Sequence, residues 1–360
     1  MKAFLKAPDA ISYKPLLFDG ENLTDIQRLI EVERPILHDF LASQIKELHK
    51  IRTPETKMSE EELGNFYKQW SLSNDEETYG VYVYYPWSNR LVHLVHREEF
   101  IELRTSRNKH KITQDEQDYL ASRVMGVIGL SVGQSVALTL AMERTCGTLR
   151  IADYDSLELT NLNRIRAGVA SLGLPKTMVV AREIAELDPF IEVEVFSEGI
   201  TEDNIDSFLE GDKKLDLLLE ECDSMPVKVL SRLKARKLGI PVLMDTSDRG
   251  MIDVERFDID DTLPLFHGLC PISNMEQLNA MSPEEIMNLM MTMVDFENLS
   301  DRMKYSFGEL GKSLSTWPQL ASDVISGGGH AAALARMIIL GEEVPSKRYY
   351  FDISQYVKAQ

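Results

Sequence analysis

From Arg123 onward the chain alternates between two kinds of apolar pattern. Short runs at 124–129, 148–152, 191–196, 215–219 and 240–244 are strand-like in length and apolar content. Between them, 135–144, 176–187, 205–209 and 226–237 repeat apolar residues at helical spacing. Strands alternating with helices predict a mostly parallel sheet, and the right-handed crossover rule makes it doubly wound. The fold class expected is therefore α/β, a Rossmann-like doubly wound sheet.

The two ends of the chain follow other rhythms. Residues 24–50 carry Ile26, Leu29, Ile30, Ile36, Leu37, Phe40 and Leu41 at helical spacing, with Pro35 breaking or restarting the helix. Residues 78–97, "TYGVYVYYPWSNRLVHLVHR", predict a hairpin around a Pro/Ser/Asn turn. An N-terminal α+β extension over 1–100 is thus expected to precede a nucleotide-binding domain over 101–360. Within that domain, 275–325 reads as a helical Met-rich insertion. Residues 326–341, "SGGGHAAALARMIILG", read as a glycine turn entering one of the C-terminal helices.

Composition removes several function classes. The net charge of −19 opposes binding to nucleic acid, which needs clustered Lys and Arg. No charge falls between Arg123 and Glu143, close to a membrane-spanning length, but the stretch divides into a strand, a Gly/Ser turn and a helix. No membrane association is expected. "MKAFLKAPDA" has no apolar run of signal-peptide length, and Cys146, Cys222 and Cys270 are too widely spaced for a disulfide framework. A cytoplasmic location is expected.

The first strand runs into Gly129-Leu130-Ser131-Val132-Gly133. As G-x-S-x-G, this is the pattern of a serine hydrolase's nucleophile elbow. It is equally a clipped glycine loop that would hold phosphates at a helix N-terminus, or a tight turn that binds nothing. Residues downstream separate these readings. Asp153 ends the second strand where a dinucleotide fold places its ribose-binding acid, and an elbow makes no demand for it. Asn161, Asn163, Arg164 and Arg166 follow; Lys176 opens the next helix and Asp223 follows the fourth strand. A hydrolase would need a downstream histidine, for which only His267 and His330 are available.

"DYDSLELTNLNR", "GLPKTMVVAREIAELDP" and "LDLLLEECDS" together resemble the ThiF-type adenylyltransferases, which include enzymes activating sulfur-carrier proteins and ubiquitin. The resemblance covers roughly 100–260 and points to a divergent bacterial branch with an N-terminal extension. It implies that Gly129 and Gly133 admit the phosphates of ATP and that Asp153 holds the ribose. Asn161, Arg164 and Lys176 would hold the phosphate chain, and Asp223 would hold Mg²⁺. Arg107, in "LRTSRNKHKI", would reach the ATP site of a partner subunit, which implies a homodimer. Arg107, Arg164, Lys176 and Asp223 are thus the catalytic candidates.

A substrate carboxylate is already ionised at neutral pH and needs no general base to attack the α-phosphate. It needs positioning and offset of the charge developing on pyrophosphate, which Mg²⁺, Arg and Lys supply. The substrate implied is the C-terminal glycine of a ubiquitin-like or sulfur-carrier protein. A small-molecule carboxylate and a degenerate, non-catalytic ATP- or NAD-binding module remain alternatives. The chain also departs from the family pattern. Its glycine loop is one residue short, with Ser131 near the expected second glycine. The paired C-x-x-C zinc ligands are missing, so no zinc is expected, and no cysteine sits in a thioester motif.

Overall fold

A computed structural model describes residues 12–357, which fall into two compact units. The first comprises the described residues up to Asp115 together with Ala185–Phe190. Its four strands, β1 (Leu16–Asp19), β2 (Ile36–Asp39), β3 (Val81–Tyr85) and β4 (Arg90–Leu94), form one sheet in the order β1-β3-β4-β2. The predicted hairpin is β3 and β4, antiparallel, with Val83 opposite Val92.

Pro35 separates two different elements rather than two helices. Helix Leu23–Glu33 ends at Arg34 in the left-handed conformation, and Ile36–Asp39 is extended, running parallel to β4. The helical spacing expected through Ile36 and Leu37 is therefore wrong. These two side chains lie exposed on an edge strand, so no buried face enforces a helix there. Leu41, Ile45 and Leu48 of the following helix, Leu41–Arg52, bury against Phe66 and Trp70.

The second unit, Glu116–Ile184 and Ile191 onward, carries the parallel sheet. Its strands are β5 (Val124–Ile128), β6 (Thr148–Ala152), β7 (Glu192–Phe196), β8 (Leu217–Glu220), β9 (Val242–Asp245), β10 (Met251–Glu255) and β11 (Lys347–Tyr350). The order is β11-β10-β9-β8-β5-β6-β7, with β5 to β9 mutually parallel and β10 and β11 antiparallel at one side. β5 and β6 are completely buried apart from Thr148, which explains the apolar run of β5; in β6 the buried Arg150 is the exception, paired with Glu194 at 2.6 Å. The chain leaves β5 toward β6 on one side and later returns to place β8 on the other. The strand order thus reverses beside β5, and a doubly wound sheet opens its ligand crevice at the carboxyl ends there.

Helix Gly133–Glu143 packs beside the long helix Ala321–Ile339, while Met225–Leu238 packs beside Ile205–Leu209. The Gly-rich segment expected as a turn lies inside Ala321–Ile339. A side chain on Gly327 would overlap the Asp245 carboxylate, and one on Gly328 would meet Ser135 at 2.6 Å. Close approach between neighbouring backbones explains these glycines, and packing outweighs their poor helix propensity. Among the described residues no helix is long and apolar enough to cross a membrane.

Candidate nucleotide and substrate site

Gly129 has a φ of +85°, and a Cβ there would lie 2.7 Å from the Cys222 backbone nitrogen. Only glycine meets both conditions. Its amide donates to Ala152 (2.8 Å), while Glu221 N–H donates to Ile128 (2.7 Å), so the ends of β5, β6 and β8 are laced together. Helix Gly133–Glu143 then begins at Val132 with no side chain capping it. An uncapped N-terminus leaves backbone donors and positive dipole for an anion, which suits a phosphate.

Asp153 is buried under this loop. Leu130 N–H donates to its Oδ2 (2.7 Å) and Asp155 N–H to its Oδ1 (2.8 Å). Each oxygen keeps a further lone pair, so a ribose hydroxyl can still be accepted. Burial pushes the Asp153 carboxyl above the usual range, and the Lys176 ammonium only partly offsets it. That ammonium donates to Asp155 Oδ2 at 2.7 Å.

Arg164 Nε donates to Ser131 Oγ (3.1 Å) and its NH1 to Asn163 Oδ1 (2.9 Å). Burial lowers the guanidinium's pKa, and the Asp223 carboxylate opposes that fall. Ser131 is therefore tied to a permanent cation rather than a base, and the hydrolase reading fails on this contact. His267 Nε2 lies 3.0 Å from Asp253 Oδ1, and the His330 ring stacks on Phe351. Asn161 is turned to local use: its Oδ1 accepts the Glu158 amide (3.0 Å) and closes a short 3₁₀ turn. Arg107 is exposed in the first unit, in a turn after helix Arg97–Thr105.

Asp223 stands at a cavity of about 130 Å³ beyond the ends of β8 and β9. The sequence reading missed the cavity's floor. Glu221 and Asp245 are 6% and 4% exposed. Glu221 Oε2 accepts the Asp245 amide (2.9 Å), and Asp245 Oδ1 accepts the Ser247 amide (2.7 Å). Burial pushes the Glu221 carboxyl well up, reinforced by Asp245. Burial likewise raises Asp245, to about 7. The available signal was an acid at the end of β9 and another just past the end of β8, both otherwise largely apolar strands, at the ligand edge of a parallel sheet.

Beneath this floor lies a second buried set. Arg232 donates to Glu220 (2.6 Å) and Glu255 (2.5 Å), and its guanidinium lies over the Phe266 ring at 3.8 Å. Lys228 holds Glu220 from the other side at 3.1 Å. Cys222 Sγ donates to the same Glu220 (2.9 Å); burial and that carboxylate push its thiol well up, the reverse of an activated nucleophile. Cys146 and Cys270 are buried.

The glycine loop, the acid at the end of β6, and the Arg, Lys and Asp beyond the strands all fall within 105–309, which the model of the ThiF family matches. The chain belongs to the ThiF family. It is 42% identical over 273 residues to "Uncharacterized protein MT1398" of Mycobacterium tuberculosis, an alignment covering 76% of this chain and 38% of that protein. It is 28% identical over 158 residues to the tRNA threonylcarbamoyladenosine dehydratase of Bacillus subtilis, covering 43% and 61% respectively. With ubiquitin-like modifier-activating enzyme 5 of Gallus gallus it shares 29% identity over 134 residues, 34% of each. The chain thus spans less than two thirds of the length of each of these relatives. The ThiF segment begins at residue 105, so most of the first unit is an extension to it.

Proposed function

We propose that this ThiF-family chain is an ATP- and Mg²⁺-dependent adenylyltransferase that activates a carboxylate. The observation carrying this reading is the convergence of Gly129, Asp153, Arg164, Lys176 and Asp223 on the crevice beside β5. Backbone donors at the uncapped helix suit phosphate, and Asp153 with spare lone pairs suits a ribose. An exposed carboxylate at the rim suits a hard cation that keeps most of its waters. Bound Mg²⁺ supplies charge neutralisation on the phosphates.

The chain's own residues do the rest. Arg164 turns from Ser131 toward the phosphates, its attraction for them less screened because it is partly desolvated. Lys176 is anchored by Asp155 beside Asp153 and steadies the nucleotide's negative end. The substrate carboxylate lies next to Asp223, attacks the α-phosphorus, and pyrophosphate leaves with the electron pair of the broken P–O bond. An acyl-adenylate results.

Between the two acceptors expected from sequence, the cavity favours a small-molecule carboxylate, because it is walled by side chains on several sides. The names of the relatives keep the C-terminal glycine of a ubiquitin-like protein as the second reading, and the charge of −19 weighs against a tRNA. A homodimer in which Arg107 serves the partner's site completes the proposal. Pyrophosphate exchange into ATP, measured across a panel of carboxylates, tests the reaction. Asp223→Ala and Arg164→Ala should each lower it at least a hundredfold with the fold intact; undiminished exchange in both would remove the proposed chemistry.

A further inference from the structure

The cavity at the ends of β8 and β9 has an unusual balance of surfaces. Met290, Met293, Phe307 and Trp317 form apolar walls, with Phe307 and Trp317 edge to face at 3.9 Å between ring centres. Against them stand five carboxylates, Glu221, Asp223, Asp245, Asp248 and Asp323, and a single ammonium, Lys228. Lys228 is committed elsewhere, with its Nζ 3.1 and 3.2 Å from the two oxygens of Glu220. Asp248 is also occupied, accepting the amide and hydroxyl of Ser300.

Three residues of the floor are buried and incompletely partnered. Glu221 Oε1, Asp245 Oδ2 and Ser247 Oγ have no hydrogen-bond partner, and all three side chains are more than nine-tenths buried. No Lys, Arg or His among the described residues forms an ion pair with Glu221 or Asp245. A buried oxygen without a donor is expensive, and two adjacent carboxylates in that condition ask for a cation or a multiple donor. The walls decide which kind. A hydrated metal ion gains nothing from methionine and indole surfaces, whereas an alkylammonium presents a charged head to the acids and methylenes to the walls.

We propose that this cavity is the acceptor-substrate pocket and that it takes a small organic molecule bearing a primary ammonium, received by Glu221, Asp245 and Ser247. The inference rests on the adenylation reading for the substrate's other end, a carboxylate placed beside Asp223. The substrate class is therefore an amino acid in the broad sense, with an ammonium and a carboxylate separated by an apolar body. The lining orients it. The floor offers acceptors for an ammonium and no uncommitted cation for a carboxylate, so the ammonium goes inward and the carboxylate stays at the rim.

The test uses the full-length protein and simple probes without nucleotide. Thermal unfolding is followed against n-hexylammonium, n-hexanol, hexanoate and Mg²⁺, each alone. The expected result is saturable stabilisation by hexylammonium and none by hexanol or hexanoate at equal concentration. Asp245→Asn should weaken the hexylammonium effect at least tenfold in apparent affinity, while Lys57→Ala, on the exposed surface of the first unit, should leave it unchanged. Asn at 245 can still accept the Ser247 amide, so that backbone anchor survives. A second variant, Ser247→Ala, should weaken binding severalfold, and it keeps the question open to refutation if Asp245→Asn fails to fold. Stabilisation by Mg²⁺ alone through the same residues would make the floor a metal site and overturn the proposal. Equal effects of hexanol and hexylammonium would reduce it to an apolar pocket. None of these readouts involves ATP, so failure here and failure of pyrophosphate exchange are separate outcomes.

Discussion

Replacing Arg232 by methionine probes the buried charges under the site most directly. Arg232 is completely buried between Glu220 and Glu255. Methionine fills much of its volume and can lie on Phe266, so the change chiefly removes the charge. The two carboxylates then fare differently. Burial opposes ionisation of Glu220, but Lys228 and Arg232 together outweigh it and hold its carboxyl below the usual range. Lys228 survives the substitution. Glu255 has no such second cation in bonding distance: burial already holds its carboxyl above the usual range, with Arg232 as the main offset. Without Arg232, Glu255 keeps only the Phe266 amide at 2.6 Å.

Breaking a buried pair from one side costs about 3–5 kcal/mol, against a whole-domain stability of roughly 5–15 kcal/mol. With a urea slope of about 3 kcal/mol/M, the midpoint should fall by roughly 1–2 M. The deficit should also depend on pH. With Glu255 raised further in the folded variant, folding takes up a proton, so the variant regains stability as pH falls from that raised value toward the unfolded carboxyl's ~4.3. Urea titrations followed by circular dichroism at pH 8 and pH 5.5 measure both effects. Adding Glu255→Gln should recover at least half of the loss, because Gln keeps an acceptor for Phe266 without the charge. A loss below about 1 kcal/mol for Arg232→Met, or strict additivity of the two changes, would refute this account of the network.

Two further outcomes follow from the same geometry. The folded pKa of Asp245, about 7, lies well above the ~3.9 of an unfolded aspartate. The folded state therefore holds a proton that the unfolded state releases, and stability declines as pH rises through that window. The ceiling is about 4 kcal/mol at 1.36 kcal/mol per unit. Asp245→Asn should flatten the decline of melting temperature between pH 5 and 8, and an unchanged slope would show that the carboxyl ionises freely. Mixing Arg107→Ala chains with Arg164→Ala chains should restore up to a quarter of wild-type pyrophosphate exchange if each site takes Arg107 from its partner; no recovery in demonstrated mixed dimers would remove that role.

The parallel core was legible in the sequence because burial on both faces writes β5, β8 and β9 as largely apolar runs. The helices 176–187 and 205–209 fall where spacing placed them. β10 was not legible for a physical reason. Its sequence, Met-Ile-Asp-Val-Glu, contains two carboxylates yet is buried throughout. Asp253 is answered by His267 and Arg348, and Glu255 by Arg232, from segments distant in sequence. No local pattern announces partners that far away. The same holds within the site. Asp153, Lys176 and Asp223 stood out as charged residues at ends of elements, whereas Glu221 and Asp245 looked like ordinary strand termini until the cavity brought them together.

β11 carries a consequence for how this sheet comes into being. It is synthesised after the other ten strands, yet it covers the open side of β10 and delivers Arg348 to Asp253 (2.8 Å) and to the Met293 carbonyl (2.5 Å). While a ribosome is still making residues 340–350, β10 presents an unpaired edge, and Asp253 has His267 as its only ion-pair partner among the described residues, helped at longer range by Arg232. The nascent sheet is then at its most adhesive. The interval between translation of Glu255 and of Arg348 is when a chaperone has most to protect, and synonymous changes that slow translation there would lengthen it.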